Sequence, residues 1–144
     1  MSHWRKSKLK LKCSLAVLRR ALLKIMPQWE KHIKTDPNGN LTIHSGYLNQ
    51  DRQGYHLVVP QDAGLSYADM GFKQEADGSW SVDVDVYPSG HTNFEGEMTR
   101  EVAAMRAKAI AQARGYQITK DELEGNSRKV RLIVPVGEEF KLRA

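Results

Sequence analysis

Lysines recur at every second position near the start of the chain. Lys6, Lys8, Lys10 and Lys12 alternate with Ser7, Leu9, Leu11 and Cys13. In an extended backbone successive side chains point to opposite faces, so this spacing describes a strand with one basic and one apolar face. Arg19 and Arg20 follow in a helical stretch, and Lys129 and Arg131 alternate with Val130 and Leu132 near the end. These eight residues, Lys6, Lys8, Lys10, Lys12, Arg19, Arg20, Lys129 and Arg131, are the candidate contacts for an anion. The chemistry they suit is neutralisation of phosphates or carboxylates.

Reactive groups form no comparable pattern. The histidines are His3, His32, His44, His56 and His91, and no two of them have the i, i+4 spacing of a helical metal site. His44 and His56 could face each other across a hairpin, but paired surface histidines are far commoner than ligands, so no metal is expected. Gly64-Leu65-Ser66-Tyr67-Ala68 lacks the second glycine of a nucleophile elbow, and there is no glycine-rich phosphate loop. His91, near Asp83, Asp85 and Glu95, is the one place to look for acid–base chemistry. No catalytic residue or cofactor is assigned. Cys13 is the only cysteine, which excludes an internal disulfide, and it reads as a small buried hydrophobe.

The charge is unevenly spread. The chain carries +5 overall, yet residues 1 to 34 hold ten Lys or Arg against one acid, Glu30, a balance of +9. The remainder holds twelve against sixteen, a balance of −4. Such asymmetry points to an anionic partner, nucleic acid first and an acidic protein next, unless the charge is balanced within the molecule. Arg19, Arg20 and Lys24 interrupt the apolar run Leu15 to Met26, so it reads as neither a secretory signal nor a membrane span. A cytoplasmic or equivalent reducing compartment is the expectation, without membrane contact.

The elements that must position these residues follow from periodicity. Ser14 offers an N-cap for a helix whose Leu15, Leu18, Leu22 and Ile25 share one side and which Pro27 ends. Asp36-Pro37-Asn38-Gly39 is a turn, Leu41 to Tyr47 and Gly54 to Val59 read as strands joined through Asn49 to Arg52, and Ala68 to Gln74 as another. Ala76-Asp77-Gly78 is a hairpin turn. After it Trp80, Val82, Val84 and Val86 face one way and Ser81, Asp83, Asp85 and Tyr87 the other. A second helix from about Glu95 to Arg114 turns Met98, Val102, Met105, Ala109 and Ala113 to one stripe, with Gly115 as its C-terminal cap. Tyr116 to Thr119 and Lys129 to Val136 are the last strands. With strands and helices in this order, 144 residues predict one α+β domain, residues 1 to 144: an antiparallel sheet with two helices on one face, ferredoxin-like in character. The other face is then open to solvent or to a partner. It carries the lysines, Asp83 and Asp85, with Trp4 and Tyr87 of the parity a base-stacking platform needs.

The opening Met1-Ser2-His3-Trp4, the strand and amphipathic helix after it, Met70-Gly71-Phe72, the Gly78-to-Asp85 strand with Trp80, and Ala113-Arg114-Gly115-Tyr116 ahead of a strand at Val130 to Val134 carry a family likeness. On these features the chain resembles small uncharacterised proteins of algal plastid, cyanobacterial and phage genomes, which typically begin Met-Ser-His-aromatic. The resemblance covers most of the chain, which differs in its denser N-terminal lysines and in longer loops at Gln61 to Tyr67 and Pro88 to Phe94. It implies a compact α+β domain in an accessory role, located in a plastid stroma or the cytoplasm of a virus-infected cell, with no agreed activity or cofactor.

The expected function is therefore that of a non-enzymatic binding or accessory protein whose basic N-terminal strand and helix contact an anionic partner, nucleic acid first. The alternatives are a protein-interaction or oligomer-forming module that uses the open sheet face, and a small enzyme with a site near His91.

Overall fold

The computed structural model describes residues 4–45, 50–125 and 127–133, with the side chain of Lys10 outside that set. Met1, Ser2, His3, Tyr47, Asn49, Val134 and Val136, on which parts of the sequence reading rest, also lie outside the described residues. The chain divides into two compact units, Met1–Met98 and Thr99–Ala144.

The first unit begins with β1 (Arg5–Lys12) and α1 (Leu15–Ile25). Ser14 caps α1 by accepting the Val17 N–H at 3.2 Å, which satisfies one of the amides left unpaired at a helix start. Leu18, Ala21 and Leu22 are buried, and Pro27 opens a 3-10 turn over Pro27–Trp29 that buries Trp29. The strands β2 (Lys34–Thr35), β3 (Leu41–Ser45), β4 (Gln50–Tyr55), β5 (Leu57–Val59), β6 (Met70–Gln74) and β7 (Ser79–Val84) follow. Five of them form one sheet in the order β1-β7-β6-β5-β2, and β3 and β4 form a separate hairpin. Every pairing is antiparallel.

Register fixes two rows across the centre of this sheet. Lys6 lies opposite Asp83 and Asp83 opposite Gly71, while Lys8 lies opposite Ser81 and Ser81 opposite Lys73. Strand alternation puts all six residues on one face. The other face carries Leu9, Leu57, Phe72, Trp80 and Val82, all essentially without exposure. On that side the Trp80 indole donates to the Cys13 carbonyl at 2.9 Å, tying β7 to the entrance of α1.

The lysine-bearing face is not open along its length. The β3–β4 hairpin packs on it, and Trp4, Ile43, Tyr55, Val58 and Ala68 form a small second core there. Gly71 makes this possible, since a Cβ at that position would stand 2.5 Å from the Tyr55 ring and 2.7 Å from Ile43. Every residue of β7 is consequently buried, the polar Ser81 and Asp83 included. Alternating Val and Ser/Asp read as one dry and one wet face, but the wet face is covered.

In the second unit most of α2 (Phe94–Ala113), within which the unit boundary falls, precedes a hairpin of β8 (Gln117–Glu124) and β9 (Ser127–Ile133). Gly115, at φ 76°, ends the helix in the left-handed conformation that glycine adopts without penalty. The buried stripe is Met98, Glu101, Val102, Ala107 and Ala111, whereas Ala109 and Ala113 are exposed. The expected stripe did not include Glu101, which stands within the buried one. Its carboxylate is buried and takes two bonds from Arg128 of β9, at 2.5 and 3.3 Å. Lys108 pairs with Asp121 of β8 at 2.6 Å in the same way.

These findings correct the expected fold class. The chain is mostly β: among the described residues, nine strands lie in three antiparallel sheets and there are two α-helices. It is not a ferredoxin-like α+β sheet with a two-helix face. The error lay in two stretches left outside the expected strands, Gln50 to Arg52 and Lys120 to Glu124. Their polar residues pair as strands in hairpins that join no larger sheet. No helix among the described residues is long and apolar enough to cross a membrane.

Candidate anion-binding site

β1 is an edge strand of the five-stranded sheet, and Lys6, Lys8 and Lys12 are exposed along it. Leu9 and Leu11 anchor the strand by burial at 2 % and 5 % exposure, which leaves the alternate side chains standing outward. The register shifts between Leu9 and Lys12, so Lys12 comes opposite Ser79 and stays on the side of Lys8. A cleft of about 430 Å³ lies beside this row, lined by Lys6, Lys8, Glu75, Ala76, Asp77 and Ser81.

The cleft carries its own counter-charges. Lys6 Nζ is 3.6 Å from Glu75 Oε1, and Ser81 Oγ donates to the same carboxylate oxygen at 2.7 Å. The Ser81 hydroxyl bond first, and then the Lys6 and Lys73 charges, hold the Glu75 carboxyl below the usual glutamate range. Asp77 accepts the Ser79 N–H at 2.9 Å and its hydroxyl at 2.5 Å. These bonds, helped by Lys8 and Lys12, likewise lower its pKa. Lys73 stands over the Tyr55 ring, 4.9 Å from its centroid, and Arg52 over Trp4 at 5.0 Å.

The candidate residues belong to different elements. Arg19 and Arg20 belong to α1, not to the strand that carries Lys6 and Lys8. Lys129 and Arg131 belong to the second unit, where with Lys120, Glu124 and Val130 they line a cleft of about 320 Å³. Lys10 has its backbone in β1 and its side chain outside the described residues.

The remaining chemical candidates are held apart. Asp83 accepts a short hydrogen bond from the Tyr55 hydroxyl under the β3–β4 hairpin. Burial first, and then this carboxylate, push the Tyr55 pKa up, so the phenol stays protonated. His91 instead pairs with Glu97 at 2.9 Å and meets the Phe94 ring edge-on. Next to Phe94, Glu95 accepts Ser7 Oγ at 2.5 Å and Tyr87 OH at 2.6 Å, and Ser7 is on the face opposite Asp83. Asp83 and His91 therefore serve different faces of the sheet. His44 lies opposite Asp51, not His56, and His56 Nδ1 accepts the Gln74 N–H at 3.1 Å. Among the described residues no group of three His, Cys, Asp or Glu could hold a metal ion.

Trp4 and Tyr87 are not a stacking platform. Trp4 is 7 % exposed and its indole donates to the Asp69 carbonyl at 2.9 Å. Tyr87 stacks on Phe94 with centroids 5.4 Å apart. Sequence reasoning missed Lys73, Glu75 and Asp77. The Asp77-Gly78 turn held the signal, because pinning β6 against β7 places Lys73 in the row of Ser81 and Lys8. No family model matches the chain, nor does any curated protein or solved structure.

Proposed function

We propose that this is a non-enzymatic binding protein that engages the phosphate backbone of nucleic acid through the outer face of β1. The observation that carries this reading is the exposed row of Lys6, Lys8 and Lys12 on one side of an edge strand, with Lys73 in register behind it. Ammonium groups fixed by a strand neutralise phosphates without reading bases. Trp4 and Tyr87 are engaged elsewhere, so the binding is independent of sequence and electrostatic in origin. The partial compensation by Glu75 and Asp77 makes affinity modest. An accessory role, as the likeness to plastid, cyanobacterial and phage proteins implies, fits a surface of this kind.

The test is fluorescence anisotropy with short single- and double-stranded RNA and DNA at two salt concentrations, beside an acidic peptide of equal charge. Neutralising three phosphates of a single strand gives a decline of about 2 log units in affinity per log unit of salt. Lys8→Glu with Lys12→Glu abolishes binding. Absence of binding at low salt, or tighter binding of the acidic peptide, rejects the nucleic-acid reading.

A further inference from the structure

We infer that Glu75 is an internal competitor for the anion site, occupying in the free chain the position that a phosphate of the partner takes. This rests on the reading of β1 as a nucleic-acid contact and adds a control element to it. Glu75 closes the β6–β7 hairpin, with its N–H bonded to the Ser79 carbonyl at 2.7 Å, so it stands in the row of Ser79. Lys6 stands in the row of Asp83, two strands away and four residues further along β7. The two side chains reach diagonally towards each other and meet over Ser81 at 3.6 Å.

A carboxylate in that place has an anion's surroundings: a hydroxyl donor in Ser81, an ammonium in Lys6, and the charge of Lys73 beyond. Nothing locks it there. The Lys6 and Glu75 side chains are 63 % and 35 % exposed, and pairs of this kind contribute little and exchange readily with solvent. The cleft of about 430 Å³ is also far larger than a carboxylate requires. An incoming phosphate can take Lys6 and the Ser81 hydroxyl while Glu75 swings into water from its place beside the turn. Binding is thereby held below what the lysine row alone would give, and strands that offer closely spaced phosphates displace Glu75 best.

The experiment compares the full chain with Glu75→Gln, Lys6→Gln and the double variant, by anisotropy against a short single-stranded oligonucleotide across a salt series. Glutamine keeps the shape and the ability to bond Ser81 but removes the charge. The expected result is affinity about two- to fivefold higher in Glu75→Gln at low salt. The salt dependence should stay near that of the natural chain, because Lys6 meets the same phosphate in both complexes once Glu75 has moved aside. In the Lys6→Gln background the same substitution should bring little of that gain in affinity, since the ammonium Glu75 competes for is gone. Equal binding by the natural chain and Glu75→Gln overturns the competitor while leaving the lysine row as a site. Failure of both to bind overturns the underlying reading as well.

Discussion

Gly71→Ala should loosen the layer that shapes the candidate site, and its cost can be worked from contacts. Gly71 is not among the glycines with positive φ, so alanine is conformationally acceptable there. In a strand it would gain about 0.5–1 kcal/mol over glycine if space allowed. Space does not allow it: the new Cβ would stand 2.5 and 2.8 Å from two Tyr55 ring atoms and 2.7 Å from Ile43 Cγ2. Tyr55 cannot simply turn aside, because its hydroxyl is bonded to Asp83 and Lys73 covers its ring. Overpacking of this severity costs about 1–3 kcal/mol, so the net loss should be about 1–2 kcal/mol. For a unit of this size that lowers the melting temperature by roughly 4–8 °C per kcal/mol. Urea denaturation followed by tryptophan fluorescence measures it, and adding Tyr55→Ala should recover part of the loss as a non-additive coupling. An unchanged or raised midpoint in Gly71→Ala, or strict additivity with Tyr55→Ala, would refute the idea that the hairpin sits directly on this face.

Other expectations follow from single contacts. Arg128→Met leaves the Glu101 carboxylate, 3 % exposed, with only the longer 3.6 Å approach of Arg100, and should cost about 3 kcal/mol in a chemical melt. Replacing both partners by methionine should restore most of it. Ser14→Ala removes the α1 cap and should cost about 1 kcal/mol, read as a lower thermal midpoint, with Ser14→Asp close to the natural chain. Because the folded-state pKa of Glu75 is lowered, its contribution is fully present above the ordinary glutamate range and is lost as pH falls to the lowered value. The stability gap between the natural chain and Glu75→Gln, measured by urea melts from pH 7 downward, should therefore close in acid; a gap independent of pH would show that the carboxylate gains nothing from Ser81 and Lys6.

Local elements were legible where the residues carried a local reason. Ser14 and Pro27 bracket α1, Asp77-Gly78 makes the β6–β7 hairpin, and Gly115 ends α2, each a matter of backbone geometry within a few residues. The architecture was not legible, because it turns on polar strands. Gln50, Asp51 and Arg52 have no apolar alternation to announce β4, and they are exposed because β4 offers only its other end, Tyr55, to the core. Gly71 gave no sign that it was a seat for Tyr55, sixteen residues before it; that relation exists only once β3–β4 folds back. Glu101 was invisible for a similar reason, since its partner Arg128 arrives from a different strand.

The same fold-back decides how much of the charge asymmetry can act outside the molecule. The sequence offered two acids against the β1 lysines, and cross-strand pairing with Asp83 and Asp85 was the obvious route to neutralisation. Asp83 does lie opposite Lys6, but it is buried under the hairpin and bonded to Tyr55, while Asp85 lies beyond the end of β7. What opposes the lysines is instead the pair Glu75 and Asp77 at the β6–β7 turn. Asp77 is committed to two bonds from Ser79, which tie it to the turn. Glu75 has one hydroxyl bond and one long ion pair, both of which an incoming phosphate can replace. Covering part of the face thus removes one counter-charge from competition and leaves Glu75 as the carboxylate whose release would unmask Lys6.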